Sequence, residues 1–184
     1  IRQRVGDRLV LVAVKANAYG HGAVQVSRTI QASGAADWLG VATVPEGQQL
    51  RAAGITMPIL KLSHAFDDEV DAALAARLTL TVVDEHTIAV VGAAASRLGV
   101  VAQVHLAIDT GMRRVGSEPG RAVPLSRLVA SHPALELQGV FTHLPISDVP
   151  EGFDFTRAEL ALFLETVAAI QDDREVAGLP PVPM

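Results

Sequence analysis

The stretch Val14-Lys15-Ala16-Asn17-Ala18-Tyr19-Gly20-His21-Gly22 follows an unbroken apolar run from Leu9 to Val14. The run reads as a buried strand, and a lysine stands where that strand ends. The chain has two lysines, Lys15 and Lys61, against thirteen arginines. An amine at the rim of an apolar core loses its proton more easily than one in water, because burial disfavours the charged form. A neutral amine is what imine chemistry with a carbonyl or with pyridoxal phosphate (PLP) needs. Position alone equally describes a solvated edge charge whose stem covers apolar surface. The neighbours bear on the choice. Gly20 and Gly22 permit close backbone approach, Tyr19 offers a hydroxyl, and a helix is expected to open near Gly22, where free amides attract phosphate.

Alternation continues outward from this stretch. Strand-like runs fall near Leu9–Val14, Trp38–Ala42, Pro58–Leu62, Leu78–Val83, Val100–Ile108 and Leu135–Thr142, separated by helix-like segments. That is the pattern of parallel βα units. Gly34 and Gly99 are placed to end helices, Pro45 and Gly54 to bracket one, and Asp84 to cap another. Thr156-Arg157-Ala158-Glu159 has the spacing of a capping box. Leu160, Phe163, Leu164, Val167 and Ile170 then mark one helical face for the core. Ser147–Phe153 reads as a βα loop. Six units are too few to close an eight-stranded barrel. Alternation therefore permits either an open doubly wound sheet or an incomplete (β/α)8 TIM-type barrel. No G-x-G-x-x-G follows the first strand, which removes the main support for a dinucleotide fold.

Composition narrows the function classes. With 184 residues and 49% apolar content the chain supports a real core, and one domain is the natural prior. A net charge of −5 argues against a nucleic-acid surface. No apolar run approaches the ~20 residues of a membrane span. Zero cysteines exclude disulfides and thiolate metal sites and fit an intracellular protein. The six histidines are scattered without metal-ligand spacing, so no metal is expected.

The VKANAYGHG stretch resembles the PLP-lysine motif of alanine racemases. His105-Leu106-Ala107-Ile108-Asp109-Thr110-Gly111-Met112-Arg113-Arg114-Val115-Gly116 is similar to that family's segment ending in DTGM-x-R-x-G, and Gly139-Val140-Phe141-Thr142-His143 to its later G-x-x-TH segment. Between them, Leu39–Thr43, Glu46 and Leu50–Ile55 follow the family's second βα unit. The motifs occur in order along essentially the whole chain.

The resemblance implies the barrel. Residues 1–184 would form part of the family's N-terminal PLP-binding barrel domain, with its last two strands and its C-terminal β domain absent. It also implies the activity: PLP-dependent interconversion of L- and D-alanine, supplying D-alanine for cell-wall peptidoglycan, in a cytoplasmic homodimer acting on an amino-acid substrate. Lys15 would hold PLP and serve as one of two bases at the substrate Cα. Tyr19 would bond the cofactor phosphate. Arg114 would lie near the cofactor's phenolic oxygen and the substrate carboxylate, and His143 would pack against the pyridine ring. In the family the second base is a tyrosine of the partner subunit's C-terminal domain, and this chain's single tyrosine is Tyr19.

Barrel geometry gathers such residues on one rim, since active sites form at the C-terminal ends of the strands. Each also has an ordinary reading: Arg114 as a solvated loop charge, His143 as a core histidine, Asp109 as a turn cap. Two positions depart from the family. Ala107 stands where many members carry a carbamylated lysine, and Leu144-Pro145-Ile146-Ser147-Asp148 replaces the usual small residues after the histidine. Alternatives with the same strand-end lysine are a non-catalytic PLP-binding barrel of the PLP-homeostasis type and a barrel-fold amino-acid decarboxylase.

Overall fold

A computed structural model describes residues 2–182. Six strands follow one another in chain order in a six-stranded sheet. The chain divides into two compact units, Ile1–Thr81 and Val82–Met184.

The first unit opens with α1 (Arg2–Val5) and continues through β1 (Leu11–Ala13), α2 (Lys15–Tyr19), α3 (Ala23–Ser33), β2 (Trp38–Val41), α4 (Val44–Ala52), β3 (Ile59–His64) and α5 (Val70–Ala75) to β4 (Thr79–Val82). All pairings are parallel: Leu11 lies opposite Trp38, Leu39 opposite Ile59, and Leu60 opposite Thr79. Leu39, Val41, Ile59 and Leu50 are almost wholly withdrawn from solvent, and each such side chain contributes roughly 1.5–3 kcal/mol of transfer free energy.

Helix α4 shows how local chemistry sets the elements. Thr43 accepts from the Glu46 amide at 3.3 Å, Glu46 returns a bond to the Thr43 amide at 3.1 Å, and Pro45 sits in the first turn. At its other end Arg51 gathers the carbonyls of Ile55, Met57, Ala76 and Arg77 at 2.7–3.0 Å. One guanidinium thereby satisfies two chain turns that would otherwise leave carbonyls unpaired.

The third strand extends past the expected Pro58–Leu62 to His64, so Lys61 lies inside β3, where the β3–β4 register shifts between Leu60 and His64. Its ammonium donates to the carbonyls of Ser63 (3.3 Å) and His64 (2.7 Å) and to the Ser63 hydroxyl (3.3 Å), bracing that irregularity.

The second unit holds α6 (Glu85–Leu98), β5 (Ala102–Ala107), α7 (Ala122–Ser131), β6 (Leu135–Phe141) and α8 (Phe153–Val176). Strands β5 and β6 are parallel from Ala102 opposite Leu135 to Ala107 opposite Phe141. Asp84 caps α6, accepting from the Thr87 amide at 2.8 Å, and Gly99 closes it in the left-handed conformation. Both follow the sequence expectation, as does Gly34 at the end of α3.

Helix α8 corrects two expectations. A short 3-10 turn, Pro150–Gly152, feeds the helix directly, so it begins at Phe153. Thr156 already lies within the helix, its hydroxyl has no partner, and no capping box forms with Glu159. The buried stripe runs through Glu159, Phe163, Thr166, Val167, Ile170 and Arg174. Leu160 and Leu164 fall outside it, 42% and 47% exposed, because each is displaced about 100° from its buried predecessor around the helix.

Candidate active site

In the first unit the backbone departs sharply from the ordinary right-handed course at Lys15. The next four residues, Ala16, Asn17, Ala18 and Tyr19, have φ of 50°, 56°, 53° and 54°. The segment is a left-handed turn built without glycine. Such residues cost about 1–2 kcal/mol each, so the surroundings must hold them.

They do so through two side chains. The Ala16 amide donates to Glu46 Oε1 at 2.7 Å. The other oxygen of Glu46 accepts from the amides of Ala42 and Thr43 at 2.7 and 3.1 Å. Asn17 Oδ1 accepts from the Ala23 amide at 2.8 Å and so caps α3. Val14 completes the frame, donating to the Gly40 carbonyl of β2 at 2.8 Å. Glu46 is the residue that sequence reasoning under-read. Its signal was the T-x-x-E spacing of Thr43 and Glu46, which marks a helix start but not the second contact to Ala16.

The amides of Gly20, His21 and Gly22 are spent inside this turn, on the carbonyls of Ala16, Asn17 and Ala18. With Ala23 taken by Asn17, the expected phosphate cradle around Gly22 is already filled by the protein. What the segment leaves open is side-chain chemistry. Lys15 is half-buried and Tyr19 is 63% exposed. Neither the amine nor the phenol has a hydrogen-bond partner among the described residues. Lys61 is 3% exposed, and desolvation pushes its pKa down against the opposing pull of Glu69 and Glu46.

In the second unit the loop after β5 is folded back on itself. The Asp109 amide donates to the Ser117 carbonyl at 2.8 Å, and the Ser117 amide to the Ala107 carbonyl at 2.9 Å. Asp109 Oδ1 accepts from the amides of Gly111 (2.9 Å) and Arg113 (3.0 Å). This is the turn-cap role. Gly116 has φ of 138°, and a Cβ there would stand 2.6 Å from the Asp109 nitrogen, so only glycine fits. The loop rims an open hollow of about 570 Å³ lined by Asp109, Thr110, Arg113, Arg114 and Glu118 among others.

Arg114 is exposed on that rim, with no partner among the described residues. A hydrogen bond between the Thr110 and Thr142 hydroxyls, 2.8 Å, joins this loop to the strand end that precedes His143. His143 is exposed rather than a core histidine. Ala107 is buried at the end of β5. Beneath the loop lies Glu159, 2% exposed, with neither carboxylate oxygen hydrogen-bonded. A Cβ on Gly111 would come within 2.7 Å of its Oε1. Burial, and then the charge of Asp109, push its carboxyl above the usual carboxylate range. The sequence pattern places this glutamate in a capping box, and nothing in the sequence marks it as buried.

Residues 1–179 match the family described as alanine racemase, N-terminal domain. The chain belongs to that family. An alanine racemase of Cutibacterium acnes is 53% identical over 95% of this chain and 46% of its own length. One from Symbiobacterium thermophilum is 40% identical over 88% and 42%. Among solved structures, alanine racemase of Clostridium difficile in complex with cycloserine superposes with a TM-score of 0.84 at 32% identity, over 95% of this chain and 46% of that one. The chain spans about half the length of the curated relatives it matches. Its fold is that of the alanine racemase N-terminal barrel domain over six parallel βα units, and the doubly wound alternative is set aside.

The family's cofactor can be tested against the residues present. The resemblance assigns it to Lys15 and Tyr19 in the first unit and to Arg114 in the second, and each carries a polar group without a protein partner among the described residues. Taken singly, an amine suits an aldehyde, a phenol a phosphate, and a guanidinium a phenolic oxygen. The residues fit PLP. No helix among the described residues is long and apolar enough to cross a membrane.

Proposed function

We propose that the protein carrying this chain is a PLP-dependent alanine racemase, and that residues 1–184 form part of its PLP-binding barrel domain. The observation that carries the reading is the left-handed turn after Lys15, locked by Glu46 and Asn17, in a chain 53% identical to an alanine racemase. Strain of this kind persists where function requires a defined presentation.

Lys15 is the covalent attachment point and carries a proton to and from the substrate Cα at its Nζ. Bound PLP would supply the sink for the electron pair left when Cα loses its proton. Tyr19 would donate its hydroxyl to the cofactor phosphate. Arg114 would take the substrate carboxylate and the phenolic oxygen, and His143 would hold the pyridine ring. The Thr110–Thr142 bond supports the segments that carry Arg114 and His143. The opposite face of Cα needs a second base, which the reading assigns to a partner subunit in a homodimer. The product, D-alanine, serves cell-wall synthesis in the cytoplasm.

The test is interconversion of L- and D-alanine by the complete protein, with and without added PLP. Racemisation that requires PLP and is abolished in Lys15→Ala supports the reading. Decarboxylation of an amino acid, or PLP binding with no turnover of alanine, would replace it with one of the alternatives.

A further inference from the structure

The loop that carries Arg114 rests on a buried carboxyl of α8. Glu159 is 2% exposed, and neither of its oxygens has a hydrogen-bond partner among the described residues. It lies flush against the loop: a Cβ on Gly111 would meet Oε1 at 2.7 Å, Cγ at 3.2 Å and the Phe155 ring at 2.9 Å. The Gly111 amide is tied within the loop, to Asp109 Oδ1 at 2.9 Å. No hydrogen bond joins the loop to Glu159, so close packing alone seats the one on the other.

Such a seat suits a neutral carboxyl. An ionised one without a partner costs much more to bury. The surrounding charges add to that cost. Asp109, on the loop, acts on Glu159 with the same sign, and burial and Asp109 together raise its carboxyl. The elements packed against α8 supply no compensating cation among the described residues. Arg121 of the 3-10 turn Pro119–Arg121 is paired with Glu85, and Arg127 of α7 with Asp173. The Pro150–Gly152 turn contributes only Glu151, which is exposed. On α8 itself Arg157 is paired with Asp154. Arg113, Arg114 and Glu118 line the open hollow with Asp109. Release of the loop also relieves strain, since Arg113 holds φ of 57°, which is unfavourable to a residue with a Cβ.

We propose that Glu159 is a protonation-dependent positioning residue: as the neutral acid it seats the 109–116 loop against α8, and on losing its proton it releases that loop and with it Arg114. The consequence for catalysis rests on the racemase reading; the release of the loop does not. The direction follows from the raised carboxyl. Seating is complete at acid pH and is lost as pH rises through the folded value. Arg114 then holds the substrate carboxylate less well.

The experiment uses the complete protein saturated with PLP, as wild type and as Glu159→Gln, between about pH 5 and 8. At each pH it reads hydrogen–deuterium exchange over 109–116 relative to α6, and KM and kcat for alanine. Comparison of the two proteins at one pH cancels the intrinsic pH dependence of exchange and of the substrate. The expected result is agreement at the acid end. As pH rises wild type alone diverges, with faster loop exchange and a KM about fivefold or more above that of the variant, kcat being the same in both. A glutamate with a structural role only moves neither ratio with pH. Profiles that run parallel in the two proteins overturn the proposal, as does a wild-type KM that stays level while the loop loosens. Exchange that depends on pH in a protein that does not turn over alanine upholds the release of the loop and removes the racemase reading instead. If the variant does not fold, wild type decides alone: loop exchange that stays flat against α6, after correction for intrinsic rates, overturns the proposal.

Discussion

Glu46 Oε1 accepts a 2.7 Å hydrogen bond from the backbone amide of Ala16, thirty residues earlier in the chain. The same carboxylate caps α4. One side chain thus joins the start of a helix to the strained turn that presents Lys15. The presentation of that lysine depends on tertiary structure rather than on the propensities of Ala16 to Ala18.

Glu46→Gln should loosen this joint. A carboxamide has one acceptor oxygen where Glu46 uses two, so at least one of the three amides loses its partner. A stability loss of about 0.5–1.5 kcal/mol is expected, read as a lower urea midpoint at unchanged m-value. An unchanged midpoint would show that the turn is held by other contacts.

Ala16→Gly should act in the unusual direction. Glycine normally weakens a helix, but Ala16 has φ of 50° and is exposed. Glycine relieves that strain while adding freedom to the unfolded chain, for a net change between zero and about 1 kcal/mol of stabilisation. The same substitution at Ala95, buried in right-handed α6, should cost about 1 kcal/mol or more. Thermal melts of both variants decide it; a destabilised Ala16→Gly contradicts the strain argument.

The contrast marks what the sequence could express. Gly34, Gly99 and Asp84 were legible because each states its own local geometry: αL for the glycines, an amide acceptor for the aspartate. The order of the six βα units was legible from apolar runs alone. The left-handed turn was not, since alanine at two of its four positions gives no local reason for positive φ. Glu46 and Arg51 look like ordinary helix charges until distant backbone groups arrive beside them. Thr156 shows the reverse failure: a correct cap spacing was overruled by a 3-10 turn that started the helix earlier. Of the candidate site, residue identities came through the family resemblance, while their conformations did not.

His105 should confer acid sensitivity. Burial pushes its pKa from 6.5 to about 4, so the unfolded chain binds the extra proton first as pH falls. Stability from this residue is complete above about pH 6.5 and declines as pH falls toward about 4. The total is roughly 3 kcal/mol. His105→Gln should flatten the stability curve in that window, measured by denaturant titration at pH 7, 6, 5 and 4. An equally steep variant would assign the acid limb to other groups.

Glu159 should act with the opposite sign. Its folded pKa is raised by burial and by Asp109, so the folded state holds the proton longer than the unfolded chain. Its contribution is present below the unfolded pKa and is lost as pH rises through the folded value. Glu159→Gln removes that loss and should gain stability over wild type at neutral pH, with the difference shrinking on acidification. A variant less stable than wild type at pH 7 would show that the carboxylate has an unrecognised partner.

The most direct measurement concerns which lysine carries the cofactor. Lys61 is the buried lysine with the lowered pKa, yet its ammonium is committed to Ser63 and His64. Lys15 is half-buried and unpartnered among the described residues, at the head of the left-handed turn. The complete protein, incubated with PLP, is reduced with borohydride, digested and mapped by mass spectrometry. A phosphopyridoxyl group on Lys15 is the predicted result. The same label on Lys61, with Lys15 unmodified, would contradict the account.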